Sequence, residues 1–231
     1  MNYVVTISAT FGSGGSVIGP AVAERLGVPF LDRAIPGEVA RDIGCSLEDV
    51  LEHDDRAPTG FDRLLASAAR LPSVTMGSVD TTFIGATDGD GRLLYDQEFV
   101  ENTERVIGKV AADGGVVLGR AAALVLAEDD RALHVRLDGP KEQRLSRAIA
   151  MREGASREAL AWGAPPADEW REPTMRELDD NDRARSAYVR RFYRADAASP
   201  RHYHLVVDST AIAVESCVDI VVRLARERAG A

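Results

Sequence analysis

The chain has 231 residues, 45% hydrophobic and 28% charged, with a net charge of −9 at pH 7. That size and apolar content exclude a disordered tail, and the glycine and proline counts exclude collagen-like repeats; a chain this long buries roughly 70% of its unfolded surface without staples. The acidic balance argues against a protein that coats a nucleic acid polymer, no apolar run approaches a membrane span, and the N-terminus has no basic leader, so a cytoplasmic location is expected. Cys45 and Cys217 are far apart and fit no metal spacing, which suits free thiols. Lysine occurs only at Lys109 and Lys141, so the basic side is almost all arginine.

Residues 3–8 form a β-branched run that suits a strand buried on both faces. A glycine loop, Phe11 to Ser16, follows. Ile18, Val22 and Leu26 then recur every four residues on one helical face, with Gly27 as the stop. Pro20 fits if this helix begins just after Gly15, where an N–H is most easily given up. A second strand is expected at 28–31, ending at Asp32-Arg33, and helical pieces at 36–43, 46–53 and 61–71. Residues 73–92 lack a helical period and read as a hairpin or long loop; their Asp-Gly-Asp-Gly is out of register for a calcium loop.

A helix at 97–112 leads into a third strand at 116–118, ending at Gly119-Arg120. A fourth strand is expected at 133–137, and Pro140 opens a helix to about residue 152. Trp162 to Pro166 reads as an inserted loop. Thr174 and Glu177 have capping-box spacing and open a long helix to about residue 195. A fifth strand at 205–207 ends at Asp208-Ser209, and the closing helix spans 213–228. Strands alternate with helices throughout, which gives an α/β fold: a parallel sheet with helices on both faces. Ligands of such sheets sit outside the carboxyl ends of the strands.

Glycines between a strand and a helix let backbone N–H groups converge at a helix N-terminus, which carries about half a positive charge. The usual phosphate loop reads G-x-x-x-x-G-K-[ST]. Here Gly15 stands at the lysine position and Ala9 at the first glycine, while Ser16 keeps the hydroxyl that could hold Mg²⁺. Lys109 lies at the wrong end of its helix. Lys141 lies nearer the ligand edge but outside the loop. A tight turn whose glycines serve packing alone is the competing reading.

Residues 179–194 carry Asp179, Asp180, Asp182, Arg183, Arg185, Arg190, Arg191 and Arg194. The planar arginine fork suits phosphate oxygens, whereas a solvated helix laced with ion pairs has the same composition. Arg120, directly after a buried strand, should face the crevice, or else pair with Asp32 or Asp138.

Four stretches together resemble the cytidylate-kinase-like branch of the P-loop nucleoside monophosphate kinases. They are ISATFGSGGSVIGPAVAERLGVPFLDR at 7–33, VVLGRAAALVL at 116–126, LDDNDRARSAYVRRFY at 178–193 and SPRHYHLVVDST at 199–210. A lysine-less FGSGG loop is typical of that branch. The resemblance implies a five-stranded parallel sheet of nucleoside monophosphate kinase topology with a helical lid. It implies donor phosphates on Gly12, Ser13, Gly14, Gly15 and Ser16, with Ser16 on Mg²⁺. Asp182, Arg183 and Arg185 match the lid positions at the transferring phosphate, and Asp32, Arg33 and Arg120 face the acceptor. Gly119-Arg120-Ala121 keeps the arginine of the acceptor triplet and lacks its aspartate.

The expectation is a single domain with its core at 1–53, 96–152 and 199–231, an acceptor-side insert at 54–95 and a lid region at 153–198. The expected function is an ATP-dependent phosphotransferase, using Mg²⁺ with ATP on a nucleotide or other small acceptor. No nucleic acid polymer or membrane partner is expected, and a homodimer is left open. The alternatives are a catalytically degenerate nucleotide sensor or scaffold, and an assembly protein with a vestigial loop.

Overall fold

The computed structural model describes residues 2–31, 96–119, 121–161 and 172–230. The expected elements between 36 and 92, the loop at 162–166, and Asp32, Arg33, Cys45 and Arg120 lie outside the described residues.

Five strands, β1 (Val4–Ala9), β2 (Phe30–Leu31), β3 (Gly115–Leu118), β4 (Ala132–Asp138) and β5 (Leu205–Asp208), form one sheet in the order β2-β3-β1-β4-β5. Every pairing is parallel. The α-helices among the described residues are α1 (Gly15–Leu26), α2 (Asp96–Asp113), α3 (Ala122–Val125), α4 (Lys141–Ala161), α5 (Met175–Tyr193) and α6 (Val214–Ala229). The sheet puts β1 at its centre, so the loop after β1 opens at the middle of the carboxyl edge, where a parallel sheet binds ligands.

One face of the sheet is apolar. Val5, Ile7, Val135 and Leu137 pack on Ile18 and Val22 of α1 and on Cys217, Val218 and Val221 of α6. Cys217 is a buried free thiol. On the other face, Val4 and Val117 pack on Ile107 and Ala111 of α2. Between β1 and β4, that second face is polar. The register pairs Thr6 with His134 and Ser8 with Arg136, and all four are buried.

Each of these polar groups has a partner, as burial demands. Thr6 Oγ1 and His134 Nδ1 lie 2.8 Å apart, and Ser8 Oγ shares a 2.9 Å hydrogen bond with the Tyr203 hydroxyl. Arg136 donates to the Ala197 carbonyl at 2.7 Å. The first strand is therefore buried on both faces, as expected, but only one of them is hydrocarbon throughout; the other passes from Val4 to Thr6 and Ser8.

Three local features differ from expectation. Pro20 lies in the second turn of α1, not the first, and is exposed, so the helix gives up one internal bond at its solvent side. The helix after β4 continues past residue 152 to Ala161. A short helix, α3, follows a left-handed Ala121 (φ 53°) where the sequence offered no signal. The capping box is formed: Thr174 Oγ1 accepts from Glu177 N at 3.2 Å, and Thr174 N donates to Glu177 Oε2 at 2.8 Å.

Candidate active site: a glycine loop held between two helices

The loop from Thr10 to Gly14 joins β1 to α1. Gly14 is the N-cap, no side chain caps it, and the first turn of α1 contains no acid. Val17 N and Ile18 N donate to the Gly14 carbonyl at 3.0 and 2.9 Å, and Ser13 N donates to the Thr10 carbonyl at 3.1 Å. The amides of Gly14, Gly15 and Ser16 donate to no described residue. They lie at the positive end of a 12-residue helix. Ser16 is half-buried at the second helical position.

The loop carbonyls are held instead. Arg144 donates from one guanidinium nitrogen to the Phe11 carbonyl at 2.9 Å and from Nε to the Gly139 carbonyl at 2.9 Å. The Ser13 carbonyl accepts from Ser209 Oγ at 2.7 Å and from Arg147 at 3.4 Å, and Arg147 also binds the Ser209 carbonyl. Arg185 donates to the Ala9 carbonyl and to Ser8 Oγ. The Ser13 carbonyl shares its peptide unit with the Gly14 amide, so holding that carbonyl fixes that amide, and the Gly14 carbonyl, which accepts from Val17 N and Ile18 N, fixes the Gly15 amide in the same way. Gly12 has φ 76°, and a Cβ there would stand 2.1 Å from the Arg144 carbonyl oxygen, so the loop's path along α4 requires glycine.

Phe11 anchors the loop. Its side chain packs with Leu145 and Ala148 of α4 and Met175 and Leu178 of α5. Its N–H donates to Asp182 Oδ1 at 3.2 Å, and Asp182 Oδ2 pairs with Arg144 at 2.9 Å. Asp138, at the end of β4, accepts from Thr10 Oγ1 at 3.0 Å, from Arg136 at 2.6 Å and from Gly139 N at 2.9 Å. Burial alone would raise the Asp138 pKa; the Gly139 N–H, the Arg136 guanidinium and the Thr10 hydroxyl outweigh it and hold the carboxyl below the usual range. Farther along β4, burial, reinforced by His204 and Arg228, pushes His134 down to about 4.

Beside the loop, the start of α4 and one face of α5 enclose a cleft of about 600 Å³, lined by Lys141, Asp179, Asp182, Arg183, Ser186 and Arg190. Lys141 pairs with Asp179 at 2.5 Å and holds that carboxyl below its ordinary range.

Of the residues singled out from sequence, Gly12 to Ser16, Asp182 and Arg185 are thus brought together. Arg183 turns elsewhere: it lines the cleft, pairs with Asp180 and donates to the Asp179 carbonyl at 3.3 Å. Asp138, one candidate partner for Arg120, is engaged by Arg136 and lies 3.7 Å from Arg144. Arg144 and Arg147 were not anticipated. Their signal was available: two arginines three residues apart share one face of the helix that leaves the ligand edge after β4.

The model of the cytidylate kinase-like family matches residues 4–211. A uronate isomerase from Corynebacterium glutamicum is 26% identical over 152 residues, 66% of this chain, and the chain spans about a quarter (26%) of that protein's length. An uncharacterised protein from Eubacterium ventriosum superposes with a TM-score of 0.59 at 19% identity, covering 98% of this chain and 99% of that one. A sugar kinase from a Janibacter species gives a TM-score of 0.49 at 15% identity, covering 96% and 94%. The family match runs from β1 through the glycine loop to the end of β5 and leads to one assignment: the chain belongs to the cytidylate kinase-like family.

Proposed function

We propose that the chain is an ATP-dependent phosphotransferase acting on a nucleotide or another small anionic acceptor. The observation that carries this reading is the first turn of α1, where three successive amides have no partner among the described residues while arginines hold the loop carbonyls. Such a turn binds anionic oxygens by hydrogen bond and helix dipole together. Gly12 to Ser16 would hold the donor phosphates.

The half-buried Ser16 hydroxyl, at the second helical position, suits a ligand to Mg²⁺, which when bound would neutralise charge on the donor phosphates. Arg185 already reaches the end of β1, and with Arg183 it would neutralise charge on the transferring group. Asp32, Arg33 and Arg120 are proposed to face the acceptor. In phosphoryl transfer the protein mainly positions groups and stabilises charge, which needs fixed donors more than acid–base chemistry. The region 153–198 is proposed as the lid and 54–95 as the acceptor-side insert.

A second reading, a nucleotide sensor without turnover, is favoured by one observation: the lysine position is glycine and the space its Cβ would take is filled by Ala9. A thermal-shift screen of nucleoside mono-, di- and triphosphates with Mg²⁺ tests binding, and a coupled assay of the hits tests turnover. The acceptor panel includes hexuronates, because of the likeness to a uronate isomerase. A ligand at 100 times its Kd adds about 2.7 kcal/mol. Binding with turnover supports the enzyme; binding without turnover on any acceptor supports the sensor; no stabilisation by any nucleotide removes both.

A further inference from the structure

The two peptide groups that flank the Phe11 Cα are gripped by one closed ring of interactions. Its N–H donates to Asp182 Oδ1 at 3.2 Å, and its carbonyl accepts from Arg144 at 2.9 Å. The ring closes through the 2.9 Å ion pair between Arg144 and Asp182 Oδ2. Arg144 is buried, with 4% of its side chain exposed. Its Nε is taken by the Gly139 carbonyl and lies 3.7 Å from Asp138, so the guanidinium is held by protein groups on every side that these contacts reach.

The ring joins three elements: the loop, α4 through Arg144, and α5 through Asp182. The Phe11 side chain, wedged among Leu145, Ala148 and Leu178, crosses the same junction. On the next residue, Gly12 lies so close to the Arg144 backbone that even a methyl would collide with it.

We infer that Arg144 and Asp182 are positioning residues: together they clamp the two peptide groups that flank the Phe11 Cα and so set the direction in which the amides of Gly14, Gly15 and Ser16 point. This inference rests on the reading that those amides bind donor phosphates. It assigns Asp182 a place behind the loop, acting through Phe11, rather than a place on the transferring phosphate. Both of its oxygens are engaged by protein groups. A residue that aims the loop supports donor binding at every stage of the reaction, so its loss weakens binding of ground state and transition state alike. The clamp also links the two helices to ligand binding: whatever occupies the loop stabilises the docking of α5, and α5 docked raises affinity for the occupant by the same factor.

Asp182→Asn keeps the shape but turns an N–H toward either Arg144 or the Phe11 N–H, so one arm of the ring is lost in each orientation. Arg144→Lys keeps the charge but loses the planar fork. Hydrogen exchange of the peptide containing residues 11–16 is compared in the wild type and both variants, with peptides from β1 and β4 as internal references. Mg·ATP binding is measured on the same proteins by calorimetry.

The clamp predicts that both variants speed exchange of the loop peptide about tenfold or more, leave the β4 peptide unchanged, and weaken Mg·ATP by roughly 10- to 100-fold. Where an acceptor is turned over, KM for ATP should rise while kcat stays within a few-fold. Loop exchange equal to wild type in both folded variants overturns the clamp, whether or not ATP binds. A kcat that falls a hundredfold in Asp182→Asn at unchanged KM overturns it too, by placing Asp182 on the reacting group. Wild-type protein that fails to bind Mg·ATP defeats the phosphate-loop reading, and the exchange comparison then decides the clamp by itself. Should Arg144→Lys not fold, Asp182→Asn carries the comparison.

Discussion

A Cβ on Gly15 would stand 2.4 Å from the Cβ of Ala9. In the usual phosphate-loop spacing the position of Ala9 is glycine and that of Gly15 is lysine. Here the methyl lies on the other side of the contact, so the two departures from the motif are one complementary exchange. Leu118, with Cδ1 at 3.0 Å from the same point, closes the space further.

Gly15→Ala should therefore destabilise the protein by about 1–3 kcal/mol, the range for overpacking a buried site. Ala9→Gly alone should be mildly destabilising. The double variant should recover much of the loss, because removing the Ala9 methyl makes room for the new one. Urea denaturation of the four proteins measures the coupling; additive effects would mean that the two positions do not share one space.

Arg185 and Arg183 should behave differently although they are two residues apart. Arg185 contacts the end of β1 and lies at the loop, whereas Arg183 pairs with Asp180 beside the α4–α5 cleft. Arginines on a transferring phosphoryl group are worth about 10³ to 10⁵ in rate. Arg185→Ala should lower kcat by at least about 100-fold, and more than Arg183→Ala does. Steady-state kinetics with a turned-over acceptor checks the order; equal effects would assign the two arginines equal parts.

The alternation of strands and helices, the glycine loop and the Thr174–Glu177 cap were legible because each depends on residues close in sequence. The same holds for the gathering of Gly12 to Ser16 at a helix N-terminus. Arg144 and Arg147 were not legible as loop-holding groups. Their acceptors are the carbonyls of Phe11 and Ser13, which every sequence carries, and they lie 133 and 134 residues away. The polar sheet face was hidden for a similar reason. Thr6 and Ser8 read as strand formers, and the partners that make them a buried network, His134 and Tyr203, are 128 and 195 residues away. From sequence, Pro20 belongs in a first turn, where proline costs least; exposure at the helix surface makes its second-turn position tolerable.

The buried histidine predicts acid sensitivity. His134 Nδ1 bonds with Thr6, its ring stacks on His204 at 4.9 Å, and its amide donates to His204 Nδ1, which must be unprotonated to accept. Burial holds the folded His134 pKa at about 4, against 6.5 for an ordinary histidine. The unfolded chain thus takes up the proton first as pH falls. The stability contributed by neutral His134 is complete above about pH 6.5, declines between 6.5 and 4, and is lost below that, amounting to about 3 kcal/mol at most. His204, also lowered by burial and by Arg228, adds in the same direction. Urea midpoints should fall from pH 7 to pH 5 in the wild type and fall less in His134→Gln. An equal decline in both proteins would locate the acid sensitivity elsewhere.

In the proposed function the first turn of α1 receives the phosphates of a nucleotide. This is tested most directly by following backbone amide resonances during a titration with Mg·ATP, in the wild type and in Gly12→Ala. Saturable shifts are expected, largest at Gly14, Gly15 and Ser16, together with their loss in Gly12→Ala, whose new methyl would meet the Arg144 backbone. Millimolar Mg·ATP that leaves these three amides unmoved, or that shifts a different part of the molecule, would contradict it.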